Sequence, residues 1–361
     1  MAEQTKRATR IVFTGGGTAG HVTPNIALMM PLLSEGWDVH YIGSNNGMEK
    51  GLISGIEGVT YHGISTGKLR RYFSWQNFID PFRVVKGYAQ ARKLIKKLKP
   101  DVIFSKGGFV SVPVVLGAGK VPVIAHESDY SPGLSNRIAT RFTDKVCLSF
   151  EDSLAYVPKG KGIFTGTPIR PALYRGSREK ALAFTGFSGE KPVLLVMGGS
   201  LGAQKLNELV RAALPLLCDR FDVIHLCGNG KNDCSCEACG YQQYEYINEE
   251  LPDLLSLADI VLSRAGANSV FELLALNKPS VLVPLTSASS RGDQLLNARY
   301  FEKKGYAKVV DQNTATPESL VKEIDEVFAQ RAEYAGRMCE DTRSDGTQTI
   351  LAIIKEAVTN G

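Results

Sequence analysis

Short apolar runs alternate along this chain with stretches of helical periodicity. Runs at 10–14, 38–42, 101–105, 121–125, 144–148 and 162–165 are predicted strands, and a second series follows at 193–197, 222–226, 244–247, 259–263, 280–284 and 306–310. Between them, apolar residues recur at three- and four-residue spacing over 83–98, 204–217, 267–276 and 293–304, which predicts helices. Strands that are apolar throughout suit sheets covered on both faces, so the pattern predicts an α/β fold with parallel, doubly wound sheets. The pattern also repeats. Ile11-Val12-Phe13 runs into Gly15, Gly16, Gly17 and Gly20 before the apolar helical positions Ile26, Ala27, Met29, Met30 and Leu33. Val193 to Met197 likewise runs into Gly198-Gly199-Ser200-Leu201-Gly202 before a helix. Two similar domains are expected, 1–168 and 169–344, joined near Gly166–Pro171, where two prolines discourage a helix. A final amphipathic pattern, Thr347–Val358, fits either domain on periodicity alone.

Composition narrows the class. At 361 residues the chain exceeds one ordinary core, and 43% hydrophobic with 22% charged residues is usual for a globular protein. The polar start Met-Ala-Glu-Gln-Thr-Lys-Arg is not a secretory signal, and no window approaches the roughly 18 uninterrupted apolar residues of a spanning helix. The expectation is a soluble protein, or one attached to a membrane surface. Seven cysteines without secretory context point to free thiols in a reducing compartment. Cys234, Cys236 and Cys239, with Cys227 upstream, admit a zinc site, but they lack two separated Cys-x-x-Cys pairs. A polar loop between strands is the favoured reading.

Net charge is only +5, but the excess is local. Lys68, Arg70, Arg71, Arg83, Lys86, Arg92, Lys93, Lys96 and Lys97 share one segment with a single acid, Asp80. Within it Trp75, Phe78, Ile79 and Phe82 fall on one helical face. That face, flanked by Arg70, Arg71 and Arg83, suits an anionic membrane interface. Periodicity alone allows an ordinary core face equally well.

The candidate chemistry lies at strand ends, where open α/β sheets bind ligands. Gly15-x-Gly17-x-x-Gly20 opens a helix, can present backbone N–H groups to an oxyanion, and sets His21 at its mouth. It matches the dinucleotide fingerprint formally, yet the second strand ends in Gly43-Ser44-Asn45, without the carboxylate a ribose would need. Four glycines in six residues also exceed what a plain turn requires. Gly107-Gly108-Phe109 makes a second bare turn, for a ligand or for close strand–helix packing. His126-Glu127-Ser128-Asp129 resembles acid–base equipment, or else a helix start capped by Ser128 or Ser131. Ser263 to Glu272 is another turn opening a helix, fit to hold a diphosphate, with Glu272 placed for a ribose diol. A surface helix with an acid in its first turn is the plainer alternative. Arg291-Gly292-Asp293-Gln294 offers hydrogen bonds to a sugar, or a cap at Asp293.

Taken together and in order, Gly-Gly-Gly-Thr-Ala-Gly-His, Gly-Gly-Phe-Val-Ser-Val-Pro, His-Glu-Ser-Asp, Gly-Thr-Pro-Ile-Arg, Gly-Gly-Ser-Leu-Gly-Ala, Ser-Arg-Ala-Gly-Ala-Asn-Ser…Glu and Arg-Gly-Asp-Gln closely resemble the MurG family. These are the undecaprenyldiphospho-muramoylpentapeptide β-N-acetylglucosaminyltransferases of peptidoglycan synthesis, in glycosyltransferase family 28. The resemblance implies a GT-B fold, two Rossmann-like domains facing a deep cleft. It implies inverting transfer of GlcNAc from UDP-GlcNAc to the C4 hydroxyl of MurNAc in lipid I, giving lipid II, at the cytoplasmic face of the bacterial membrane. No cofactor is implied, and the sequence holds no Asp-x-Asp motif to require a metal. Carried over by motif, donor contacts fall to Thr18, Ala19, Gly20, Arg170, Ser200, Ile247, Ala267, Asn268, Ser269, Val270, Phe271, Glu272 and Gln294. Acceptor contacts fall to Gly17, Gly107, Gly108, His126 and Asp129. His21 is the expected base, with Glu127 as rival. The family's last helix returns to the N-terminal domain, which would place 345–361 there. Two departures stand out. Some members carry Asn where Asp129 stands, and a carboxylate would repel a diphosphate. The cysteine cluster lies outside the family pattern. Nucleic acid is not expected as a partner, whereas other cell-wall synthesis proteins are compatible with the resemblance. A related lipid glycosyltransferase, a UDP-GlcNAc 2-epimerase on the same fold and a catalytically silent scaffold are the competing readings.

Overall fold

The computed structural model describes residues 7–67, 76–199, 203–236, 238–285 and 292–359, with side chains from 82 onward in the segment that begins at 76. Residues up to Arg170 form one compact unit together with those from Asp345 on, and Pro171–Ser344 form the other.

The first unit contains β1 (Arg10–Thr14), α1 (Thr23–Ser34), β2 (Asp38–Ser44), α2 (Met48–Ile53), β3 (Val59–Ile64), α3 (Gln76–Leu98), β4 (Val102–Ser105), α4 (Ser111–Gly117), β5 (Val123–Glu127), α5 (Leu134–Ala139), β6 (Lys145–Leu148) and β7 (Gly162–Phe164). Its strands run parallel in the order β3-β2-β1-β4-β5-β6-β7. The second unit contains α6 (Arg178–Thr185), β8 (Val193–Met197), α7 (Gln204–Leu217), β9 (Asp222–Leu226), β10 (Tyr241–Tyr244), α8 (Leu251–Leu257), β11 (Ile260–Ser263), α9 (Ala267–Ala275), β12 (Ser280–Leu282), α10 (Asp293–Lys303), β13 (Ala307–Val309), α11 (Pro317–Ala329) and α12 (Arg331–Cys339). Its sheet is parallel as well, in the order β10-β9-β8-β11-β12-β13. The last helix, α13 (Thr347–Thr359), buries Ile350, Leu351 and Ile354 in the first unit's core beside Leu28, Phe104 and Cys147. Thr347 accepts a hydrogen bond from the Ile169 N–H at 3.1 Å, which anchors the start of that helix.

The central strands are buried except for the partly exposed Met197 at the end of β8, as their unbroken apolar runs require. Three expectations change. β3 is an addition to the expected strands: of Val-Thr-Tyr-His-Gly-Ile only Ile64 is fully buried, so this edge strand lacks an apolar run. The strand expected at 244–247 lies at Tyr241–Tyr244. β5 extends through His126 and Glu127 because the ladder to β6 continues, His126 opposite Cys147 and Glu127 opposite Leu148. Those two residues therefore end a strand instead of following one.

Candidate active site

In the first sheet the order of strands reverses between β1 and β4, and Thr14 pairs with Ser105 there. The turns leaving these two strands thus emerge side by side at the carboxyl edge, the usual ligand position of such sheets. They are the two glycine turns. His21 closes a short 3-10 turn, Ala19–His21, and its N–H donates to the Thr18 carbonyl at 3.1 Å. Thr18 is exposed, while Ala19, Gly20 and His21 are half-buried. A Cβ on Gly108 would lie 3.0 Å from the His21 ring, so the imidazole rests on the second turn.

The bareness of the first turn has an internal cause. A Cβ on Gly16 would lie 2.7 Å from the Glu49 carboxyl carbon. Gly17, at φ +89°, would meet the Phe109 ring at 2.5 Å. The excess of glycine expected to signal a bound oxyanion is used here to interlock the two turns with α2.

The loop after β5 is organised by charge. Glu127 is buried, and its carboxylate accepts hydrogen bonds from the Asp129 N–H (3.0 Å), the Gly133 N–H (3.0 Å) and Asn136 Nδ2 (2.8 Å). Burial and the neighbouring Asp129 carboxylate push its pKa up, against the pull of Lys106. His126 is fully buried with Nε2 at 3.1 Å from the Gly166 carbonyl, and burial, then Lys106, hold its pKa well below the ordinary value. It is a core histidine here rather than a residue at the acceptor mouth. The cap at α5 is Gly133, without a side-chain cap bond, so neither Ser128 nor Ser131 caps it. Ser128 instead receives a 2.5 Å hydrogen bond from the ammonium of Lys106, itself only 1% exposed. Burial pushes the Lys106 pKa down to about 8 despite the attraction of Glu127 and Asp129.

In the second sheet the order reverses between β8 and β11, with Met197 opposite Ser263. The turns after these strands are again neighbours. Gly266 caps α9 and has no side chain to satisfy the helix's first N–H groups, which leaves that end suited to a ligand oxyanion. Ala267 is buried, Asn268, Ser269 and Glu272 are half-buried, and Val270 and Phe271 point their side chains into the core, Phe271 against Phe301. Asn297 on α10 donates to the Ala265 carbonyl at 3.1 Å and so braces the turn. Gln294 accepts from the Leu285 N–H at 3.0 Å. The cap of α10 is Gly292, at φ +82°, and Asp293 is the first helical residue, not the cap. Arg264 donates to the Val283 carbonyl at 2.8 Å, and burial lowers its pKa. Ile247 is buried beyond the end of β10. Arg170 lies at the last position of the first unit, and Ser200 lies outside the described residues.

Glu49, Lys106, Asn136 and Asn297 were not singled out from sequence. Lys106 carried a signal, a lysine wedged between an apolar strand and two glycines. The others carried none, because their partners are remote or lie across a turn. On α3, Phe82 is 77% and Val85 67% exposed beside exposed Arg83 and Lys86, so Phe82 is not a core residue. Arg70, Arg71 and Trp75 lie outside the described residues, as does the Phe78 side chain. All seven cysteines are free, and among the described residues no three His, Cys, Asp or Glu side chains come together to hold a metal ion. An open pocket of about 490 Å³ beside Cys236, Cys239, Tyr241 and Gln243 sits at the outer edge of the second sheet, remote from the strand-order reversal.

The glycosyltransferase family 28 N-terminal domain matches residues 11–148 and the C-terminal domain of that family matches 193–350. The chain is 54% identical over 349 residues, 96% of its length and 98% of the relative, to the UDP-N-acetylglucosamine–N-acetylmuramyl-(pentapeptide) pyrophosphoryl-undecaprenol N-acetylglucosamine transferase of Geobacillus thermodenitrificans. Its fold matches that of the MurG crystal structure from Acinetobacter baumannii with a TM-score of 0.75 at 26% identity, covering 96% of this chain and 99% of that one. A UDP-GlcNAc 2-epimerase from Neisseria meningitidis, 13% identical with a TM-score of 0.66 and covering 98% of this chain and 100% of that one, shares the fold alone. Two parallel-sheet domains of this kind define the GT-B class of glycosyltransferases. Within that class, the chain belongs to the MurG family of glycosyltransferase family 28.

Proposed function

We propose that the chain transfers GlcNAc from UDP-GlcNAc to the C4 hydroxyl of MurNAc in lipid I, forming lipid II with inversion at the anomeric carbon. Membership of the MurG family over almost the whole chain supports this reaction. The observation that carries the residue roles is the position of His21, half-buried against the second glycine turn at the strand-order reversal. Its imidazole takes the proton of the acceptor C4 hydroxyl as that oxygen attacks C1 of GlcNAc. The bond from C1 to the diphosphate breaks, and UDP leaves with the electron pair. The N–H groups at the start of α9, Ala267 to Ser269, stabilise the charge on the departing diphosphate. Glu272 takes the ribose and Gln294 the sugar, with Thr18, Ala19, Gly20, Arg170, Ser200 and Ile247 completing the donor contacts. Val270 and Phe271 serve through backbone and packing.

Glu127 is the weaker candidate for the base, because its carboxylate already accepts three hydrogen bonds that shape the 127–136 loop. On the acceptor side the reading keeps Gly17, Gly107, Gly108 and Asp129. Attachment to an anionic membrane surface, through Phe82, Arg83 and the preceding Arg70, Arg71, Trp75 and Phe78, places the enzyme beside its lipid-linked acceptor. Among the described residues no helix is long and apolar enough to cross a membrane.

The test is UDP release from UDP-GlcNAc with a lipid I analogue. His21→Ala is expected to lower kcat by at least about 10²-fold while UDP still binds. Loss of turnover in Glu127→Ala with His21→Ala active would transfer the base role to Glu127. UDP-ManNAc formed without any acceptor would instead mark an epimerase.

A further inference from the structure

The first glycine turn presents the Gly17 N–H to an anion that the chain supplies itself. Glu49, in the first turn of α2, is fully buried. One carboxylate oxygen accepts from the Ser44 N–H at 2.9 Å and the Ser44 hydroxyl at 2.5 Å. The other accepts from the Gly17 N–H at 3.3 Å. The carboxyl carbon lies where a Cβ on Gly16 would stand 2.7 Å away, so only glycine admits it. One side chain therefore joins the end of β2, the start of α2 and the turn leaving β1. The same turn is held from its other side: Tyr41 donates to the Gly15 carbonyl at 2.8 Å, and the Gly16 carbonyl lies against Gly108, which also supports the His21 ring.

We propose that Glu49 is a positioning residue for the transfer reaction: its carboxylate fills a small nest of donors, the Gly17 N–H at one end and the Ser44 N–H and hydroxyl at the other, and so fixes the first glycine turn and through it the His21 imidazole. The inference rests on the reading of His21 as the base.

Glu49→Ala, Glu49→Gln, His21→Ala and the double variant Glu49→Ala/His21→Ala are compared by kcat and by KM for UDP-GlcNAc, with formate or chloride at equal ionic strength. Glu49→Ala is expected to lose about tenfold or more in kcat with a smaller rise in KM for UDP-GlcNAc, because the lost interaction acts chiefly on the reacting geometry, while Thr18 to Gly20 of the same turn contact the donor. Formate, entering the vacated nest, is expected to restore kcat by about threefold or more in Glu49→Ala, and to do nothing for Glu49→Gln, whose amide fills the space. Glu49→Gln itself, which cannot accept at both ends of the nest, is expected to lose kcat by about threefold or more. The double variant is expected to fall no further than His21→Ala alone. Wild-type kcat in folded Glu49→Ala or Glu49→Gln overturns the proposal, as does a folded Glu49→Ala that formate leaves unchanged. Should Glu49→Ala not fold, Glu49→Gln decides alone. Wild-type turnover in His21→Ala refutes the base reading, whereas an inactive His21→Ala beside an unaffected Glu49→Gln refutes only the role of Glu49.

Discussion

A lysine ammonium whose hydrogen-bond acceptor is a serine hydroxyl is costly to bury, and Lys106 is such a case. The folded protein holds its pKa at about 8, below the ordinary 10.5, with burial as the main cause. Between those two values the unfolded chain keeps a proton that the folded chain has released, so stability rises with pH through that window. Below about pH 8 the whole penalty is present, on the order of 3 kcal/mol. Lys106→Met is therefore expected to be more stable than the parent near pH 7, and the two should converge as pH approaches 10.5. Thermal unfolding of both proteins from pH 7 to 10 checks this, and an equal pH slope in the two would refute it. Lys106 adjoins the glycine turns, so its charge is kept at a cost to stability.

At the scale of elements, α9 gains from α10 what its own sequence cannot supply. Gly266 leaves the helix start without a side-chain cap, and Asn297 fixes the preceding turn through the Ala265 carbonyl. Asn297→Ala is expected to raise KM for UDP-GlcNAc about tenfold with a smaller change in kcat, since the loss of one buried hydrogen bond loosens the donor turn before any bond is broken. A normal KM in steady-state kinetics would remove Asn297 from the site. The helix and its turn were legible in sequence, because Ser-Arg-Ala-Gly-Ala-Asn-Ser follows an apolar run and precedes apolar residues at helical spacing. The brace was not, because Asn297 lies more than thirty residues away and resembles any polar residue in a helix. β3 escaped detection for a related reason: an edge strand needs partners on one side only and can dispense with an apolar run.

For the whole molecule, Phe82 and Val85 are exposed apolar residues of α3, set beside exposed Arg83 and Lys86. An apolar residue ringed by cations gains from both the interfacial region and the anionic headgroups of a membrane, about 1 kcal/mol per basic residue near the surface. Phe82→Asp combined with Arg83→Glu is expected to weaken sedimentation with anionic vesicles by about tenfold or more. Unchanged sedimentation would assign the exposed face to something other than a lipid surface.

Local rules were enough for the alternation of strand and helix, for two doubly wound domains and for the strand-end motifs, because each depends on a few neighbouring residues, on unbroken apolar runs for the strands and on the 3.6 period for the helices. Long-range packing decided the rest. It put Glu49 beneath the first glycine turn, set Lys106 against Ser128 and returned α13 to the first domain's core. These are contacts between residues brought together by parallel strand order, and a chain whose neighbours in space are dozens of residues apart carries no local signature of them.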